Sequence, residues 1–200
     1  MSLALTLFCL LAALLAIGVS TRQAFTSARA KAMLFLGLFL VPTLLTGVGV
    51  QTHLEQSKST SFCLSCHDME PYGRTLWRDD TDYLPAAHFQ NRRIDRENAC
   101  YTCHTTYTMF GDIDSKMKGI KHVLVYYLGE PPEKIELYEP YENRECLHCH
   151  EGARTFEEGE THADFIAELK SGETSCLECH DLVHEIETID EADLWEGANL

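Results

Sequence analysis

Eight of the nine cysteines fall into one five-residue pattern that occurs four times: Cys63-Leu-Ser-Cys66-His67, Cys100-Tyr-Thr-Cys103-His104, Cys146-Leu-His-Cys149-His150 and Cys176-Leu-Glu-Cys179-His180. Cys-x-x-Cys-His is the attachment site of a c-type haem. Two thiols three positions apart on a short helical turn reach the two vinyl groups on one edge of the macrocycle. The next residue then sends its imidazole under the iron. A lone Cys-x-x-Cys would be ambiguous between a zinc knuckle, a redox dithiol and chance. Zinc chemistry has no need of a histidine after each second cysteine, and the four copies use every cysteine beyond residue 60. The spacing therefore predicts four covalent haems with His67, His104, His150 and His180 as motif axial ligands, and it sets aside a disulfide framework.

Low-spin electron-transfer haems fill both axial positions. Six histidines lie outside the motif ligand position: His53, His88, His122, His148, His162 and His184. His148 sits between two attachment cysteines, at the edge of its own haem. His53 directly follows an apolar run, where an interfacial role is expected. His122 falls in a helical stretch expected over 113–128, where a surface or packed histidine is expected. His88, His162 and His184 remain as the distal candidates. His184 follows His180 by four residues, so on a helix both would share a face and could not grip opposite sides of one haem. It is expected to reach a neighbouring haem. Three distal histidines leave one iron short, and Met69, two residues beyond His67, offers a thioether; its other reading is packing against the porphyrin.

Such chemistry needs a scaffold, and the chain divides into two kinds of sequence. Residues 1–50 hold three basic residues (Arg22, Arg29, Lys31) and no acid, whereas 51–200 hold 13 basic against 31 acidic residues, a balance of −18. An acidic body excludes a nucleic-acid binder, which needs Lys and Arg against phosphate; this acidity is read chiefly as a solubility feature. The front carries two uncharged apolar runs, which predict helices at about 2–20 and 32–50 joined by a loop over 21–31. The basic residues of that loop place it in the cytoplasm by the positive-inside rule, and hence the body outside. A cleaved signal peptide is the alternative for the first run, with Ala28-Arg29-Ala30 imitating a cleavage pattern, but no basic residues precede it. Cys9 is read as a small hydrophobe of the first helix. The expectation is a membrane anchor, 1–50, and a haem domain, 51–200. The fold class is mostly α, with short helices at each motif, long irregular connections and almost no sheet.

The arrangement resembles the NapC/NirT family of membrane-anchored tetrahaem quinol dehydrogenases, which includes the small subunit of cytochrome c nitrite reductase. The resemblance covers 32–187. It rests on the anchor helix, on Phe62-Cys-Leu-Ser-Cys-His-Asp-Met69 about a dozen residues later, on the four close motifs, and on Ala87-His88-Phe89, Thr161-His162 and Val183-His184. It implies a relay that takes electrons from quinol or menaquinol at the outer face of the cytoplasmic membrane. They would pass to a periplasmic multihaem or molybdenum reductase, or to a soluble cytochrome. The haem on Cys63 and Cys66 would lie nearest the membrane with Met69 as axial ligand; His184 would serve the second haem, His162 the third and His88 the fourth. Lys116 matches a family lysine near the quinol, while Val123 stands where the family has an acid seven residues further on. Asp68, Glu70, Asp79, Asp80 and Asp82 are available as proton acceptors. The extra first helix departs from the family pattern and would dock a partner or a second copy.

Two other function classes compete. A terminal reductase of a nitrogen or sulfur oxyanion would need an open haem position in a pocket, often marked by Lys in place of a motif His; all four motifs end in His. A passive cytochrome would store or pass electrons without touching quinol.

Overall fold

The computed structural model describes residues 27–130, 132 and 134–196, together with Leu7, Leu11 and Leu14, which are helical. The rest of the first apolar run, with Cys9 and Arg22, lies outside the described residues. The chain divides into two compact units, 1–57 and 58–200.

In the first unit, the second apolar run forms one helix, α1 (Ala28–Gln56), longer at both ends than the expected 32–50. Ser27 explains the early start. Its Oγ accepts the Ala30 N–H at 3.1 Å, and this N-cap draws Arg29 and Lys31 out of the expected loop into the first turn. At the far end Gln51 Nε2 donates to Glu55 Oε1 at 3.2 Å across one turn, and Ser57 caps the helix. Ahead of Pro42, Leu36–Leu40 is π-helical, with the Val41 N–H reaching back to the Leu36 carbonyl. The wider turn relieves the clash a proline ring makes with the carbonyl four residues earlier. At about 1.5 Å per residue the 29 residues extend about 43 Å, enough to cross a hydrocarbon layer of about 30 Å. None of them is buried against protein.

The second unit is a series of short helices: α2 (Thr60–Cys63), α3 (Glu70–Thr75), α4 (Leu84–Gln90), α5 (Ala99–Cys103), α6 (Gly111–Leu128), α7 (Asn143–His150), α8 (Arg154–Glu157), α9 (Glu160–Ala163) and α10 (Ile166–Ser171). Among the described residues there is no strand, only one isolated antiparallel bridge between Arg78 and Leu194. The protein is mostly helical, as its motifs require. The apolar core supplied by side chains is small and split. Leu76, Phe89 and Ala99 form one cluster, flanked by Trp77 and Ile94; Leu147, Phe156 and Leu169 form the other.

The chain after the last motif returns as a strap along the segment after α3. The Leu84 N–H donates to the Leu182 carbonyl at 3.1 Å, the Asp79 N–H to Asp193 at 2.8 Å, and the Trp195 N–H to Trp77 at 2.8 Å. Tyr83, fully buried, accepts the Glu185 N–H on its hydroxyl at 2.5 Å. This strap carries His184.

Candidate haem-binding sites

Each motif sits on a short helical turn. The first ends α2 and continues into a 3-10 turn at His67–Met69; the second fills α5; the third lies within α7; the fourth opens on a 3-10 turn at Cys176–Glu178. Two buried polar side chains join them in pairs. Thr60, three residues before Cys63, donates its hydroxyl to the Arg96 carbonyl at 2.8 Å and accepts the Ala99 N–H at 2.8 Å, so it holds the residue before Cys100. Asn143, three residues before Cys146, donates to the Leu169 carbonyl at 2.8 Å and to the Thr174 carbonyl at 2.6 Å. Its Oδ1 accepts the N–H of Cys176 at 2.8 Å. Burying such groups is tolerable only because every partner is present.

No disulfide joins any of the eight body cysteines. Cys63 lies within hydrogen-bonding reach of Cys100, and Cys146 of Cys176. Cys103 lies near Cys149 and Cys146. The four motifs therefore adjoin in chain order, first to second to third to fourth. The hydrogen bond to Cys100, helped by the nearby charge of Lys116, takes the Cys63 thiol down to about 7, whereas burial pushes Cys146 up to about 12.

Three motif histidines face a distal histidine. Ring centres are 5.9 Å apart for His104 and His184, 6.0 Å for His150 and His88, and 6.2 Å for His180 and His162. An imidazole nitrogen stands about 2.0–2.1 Å from a coordinated metal ion, so two rings on opposite sides of one iron have centres about 6 Å apart. The donor set thus fits a c-type haem at these three places. Among the described residues no three His, Cys, Asp or Glu side chains converge as a zinc cage would require. The expected partners of the third and fourth motifs are exchanged, because His88 faces the third and His162 the fourth. Phe156 supplies the reason. Its ring packs against both imidazoles, 4.9 Å from His162 and 6.4 Å from His150, and so occupies space beside the nearer motif that His162 would otherwise take.

Each distal ring is also fixed in tautomer. The Nδ1 of His88 meets the Leu84 carbonyl at 2.9 Å, one turn earlier on α4, and that of His162 meets the Phe156 carbonyl at 3.3 Å. The Nδ1 of His184 meets Thr75 Oγ1 at 2.7 Å; the Thr75 hydroxyl gives its one proton to the Tyr72 carbonyl at 2.6 Å, so it accepts from the histidine. Only acceptors face the three Nδ1 atoms, which leaves each Nε2 lone pair for a metal. Burial lowers His104 and His150 below the ordinary imidazole value and takes His184 to about 4, which favours the neutral ring that a metal binds. His184 reaches its place with φ 45°, left-handed backbone that is uncommon outside glycine and clusters at functional positions.

The first motif differs. The His67 ring is 80% exposed, its Nδ1 bonded to Asp68 Oδ1 at 2.6 Å. Met69 belongs to the same 3-10 turn. Met69, the expected axial ligand of the first haem, therefore lies two residues from His67 on that turn, and among the described residues no second imidazole ring packs against His67. Lys116 stands beside this motif. Its Nζ lies 4.5 Å from the centre of the Tyr101 ring, and its charge acts on Cys63. One turn earlier on α6, Asp112 accepts the Tyr101 hydroxyl at 2.6 Å and Lys58 Nζ at 2.8 Å; both bonds hold its carboxyl below the usual range.

The remaining histidines have other neighbours. His148 stacks on Tyr107 with ring centres 3.7 Å apart, His122 meets the Tyr138 hydroxyl at 3.2 Å, and His53 lies exposed in the last turns of α1. Sequence reasoning passed over Thr60, Thr75, Asn143 and Phe156. One signal was present: the residue three before the first cysteine reads Thr60, Glu97, Asn143 and Glu173, an alternation that follows the pairing of the motifs.

A mostly helical body carrying four haem-attachment motifs, three of them with paired imidazoles, on an apolar helix long enough to cross a membrane, defines a membrane-anchored c-type cytochrome of electron transport. The family profile described as NapC/NirT cytochrome c family, N-terminal region, matches residues 25–189, and the chain belongs to that family. It is 30% identical over 166 residues to the cytochrome c-type protein NapC of Paracoccus pantotrophus, a match that covers 74% of this chain and 66% of that one, just under two thirds of its length. It is 25% identical to NapC of Escherichia coli K12, covering 76% of this chain and 82% of that one. It is also 25% identical to a putative tetraheme cytochrome-c type protein of Allochromatium vinosum, covering 80% and 91%. No solved structure matches the chain significantly.

Proposed function

We propose that the protein oxidises quinol at the outer surface of the cytoplasmic membrane and delivers the electrons to a periplasmic reductase, with α1 as anchor and 58–200 as a four-haem periplasmic body. The observation that carries this reading is the contrast between three sites with paired histidines and a first site beside Lys116 where, among the described residues, no second histidine faces the motif. Paired sites pass electrons; the first admits a reductant.

Cys63, Cys66, Cys100, Cys103, Cys146, Cys149, Cys176 and Cys179 would hold the haems by thioether bonds. His104 with His184, His150 with His88 and His180 with His162 would be the axial pairs, and His67 or Met69 the ligand at the first site. Bound haem supplies one-electron ferric–ferrous chemistry. Quinol oxidation releases two electrons and two protons, so the chain must hold the substrate hydroxyl and accept protons beside the first motif. Lys116 offers an ammonium donor to a quinol oxygen. Asp68 and Asp112 are carboxylates tied to the residues around it. Asp79 and Asp80 serve the backbone instead: the Asp79 amide bonds the strap, and Asp80 Oδ1 accepts the Asp82 N–H at 2.9 Å. The relatives named NapC support a reductase as the electron acceptor.

Rapid mixing of the detergent-solubilised holoprotein with a reduced menaquinol analogue tests this reading. Haem reduction within seconds is expected, with Lys116→Ala raising the apparent KM several-fold at unchanged ligand spectra. Absence of reduction on that timescale would leave a cytochrome that does not take electrons from quinol.

A further inference from the structure

Helix α6 is built inside out. The residues it turns toward the protein are Gly111, Ser115, Lys118, His122 and Val125, small or polar apart from the valine. The opposite stripe is Phe110, Ile113, Met117, Ile120, Leu124 and Tyr127, spaced three and four residues apart and each between 51% and 75% exposed. A helix at the surface of a water-soluble body has the reverse pattern. An apolar stripe of that length has to be covered.

Two observations say by what. The first turn of α6 is fastened to Lys58, through the 2.8 Å ion pair with Asp112, and Lys58 is the second residue after the membrane-spanning α1 ends at Gln56. The start of the stripe is thereby tied to a residue that follows the end of α1 by two positions in the chain. Charge agrees. Residues 58–200 are strongly acidic, yet α6 carries Lys116, Lys118 and Lys121 against Asp112 and Asp114, a local excess of one positive charge. Aromatic side chains mark both ends, Phe110 at one and Tyr126 with Tyr127 at the other, as in elements that sit at a membrane–water boundary.

The geometry points to α6 as a second membrane contact: it lies along the headgroup layer with its apolar stripe in the acyl boundary, and its net positive charge favours anionic lipid. The body is then held at two places, by α1 through the bilayer and by α6 on its surface. This inference is independent of the electron donor and stands or falls apart from quinol oxidation.

The test uses full-length holoprotein in nanodiscs of phosphatidylethanolamine and phosphatidylglycerol. Thioether attachment consumes the motif cysteines, so in a Cys9→Ser background a single introduced cysteine takes a nitroxide label. Labels at Met117, Ile120 and Leu124, one per variant, are compared with a label at the exposed Glu173. The expected result is several-fold greater relaxation by dissolved oxygen than by a water-soluble nickel chelate at the three α6 positions, with the order reversed at Glu173. Equal chelate access on α6 and at Glu173 would overturn the proposal. So would labels shielded from both reagents, which would mean that haem or a second copy covers the stripe. Three label positions keep the test decisive if one variant fails to assemble.

Discussion

The first motif and the other three share a sequence pattern and differ in surroundings. His104, His150 and His180 each face a second imidazole across 5.9–6.2 Å, and each partner ring is pinned through Nδ1. His67 faces outward and is bonded to its own neighbour Asp68, and the nearest additional ligand shares its turn. The motif fixes attachment and one ligand. Whether a site is closed depends on a residue brought from elsewhere in the chain, and among the described residues three such histidines arrive.

The contrast can be broken most severely at a closed site. His184→Ala should convert one of the four haems from low to high spin, seen as a new axial resonance in electron paramagnetic spectra with the other sites unchanged. If the three haems with paired histidines all remain low-spin, His184 is not a ligand.

A smaller effect is expected at the first site, which has less to lose. Met69→Ala should alter the spectrum and potential of one haem alone and leave the three paired sites intact. An unchanged spectrum would assign that position to His67.

The two clamps should differ in cost. Asn143→Ala strips three buried partners and is expected to cost about 2–3 kcal/mol, whereas Thr60→Ala strips two and should cost about 1–2 kcal/mol. In thermal unfolding of the holoprotein that corresponds to roughly 5–10 °C for the first and roughly half that for the second. Equal midpoints for the two variants would contradict the clamp.

The subtlest change is Thr75→Val, which keeps the shape and removes the acceptor for His184 Nδ1. It should lower electron donation by that ring and raise the potential of one low-spin haem while its spin state holds; Thr75→Ser should restore the original value. A potential unmoved by Thr75→Val would reduce Thr75 to packing.

Much of this was legible beforehand because it is local. A thiol pair and an imidazole in five residues need only one turn to act together, and an uncharged run of membrane length needs only its own composition. The histidines at 88, 162 and 184 were also visible as a set, since few others were left. Their pairing was not visible. His162 is 12 residues from His150 and 18 from His180, so chain length allows either; the packing around the Phe156 ring, which touches both histidines, decides. The start of α1 at Ala28 turned on the Ser27 cap, a single hydrogen bond that a hydropathy pattern does not register.

The sequence by itself determined the covalent chemistry, the number of attachment sites, the mostly helical class and the membrane helix. These follow from residue types at fixed short spacings. The tertiary structure decided which imidazoles oppose one another, that the four motifs adjoin in chain order, and that among the described residues no second imidazole faces the first motif. Those depend on segments far apart in the chain meeting at particular angles: Thr75 with His184 across 109 residues, Asn143 with the amide of Cys176 across 33. Packing and buried hydrogen bonds fix such meetings, and one-dimensional spacing does not contain them.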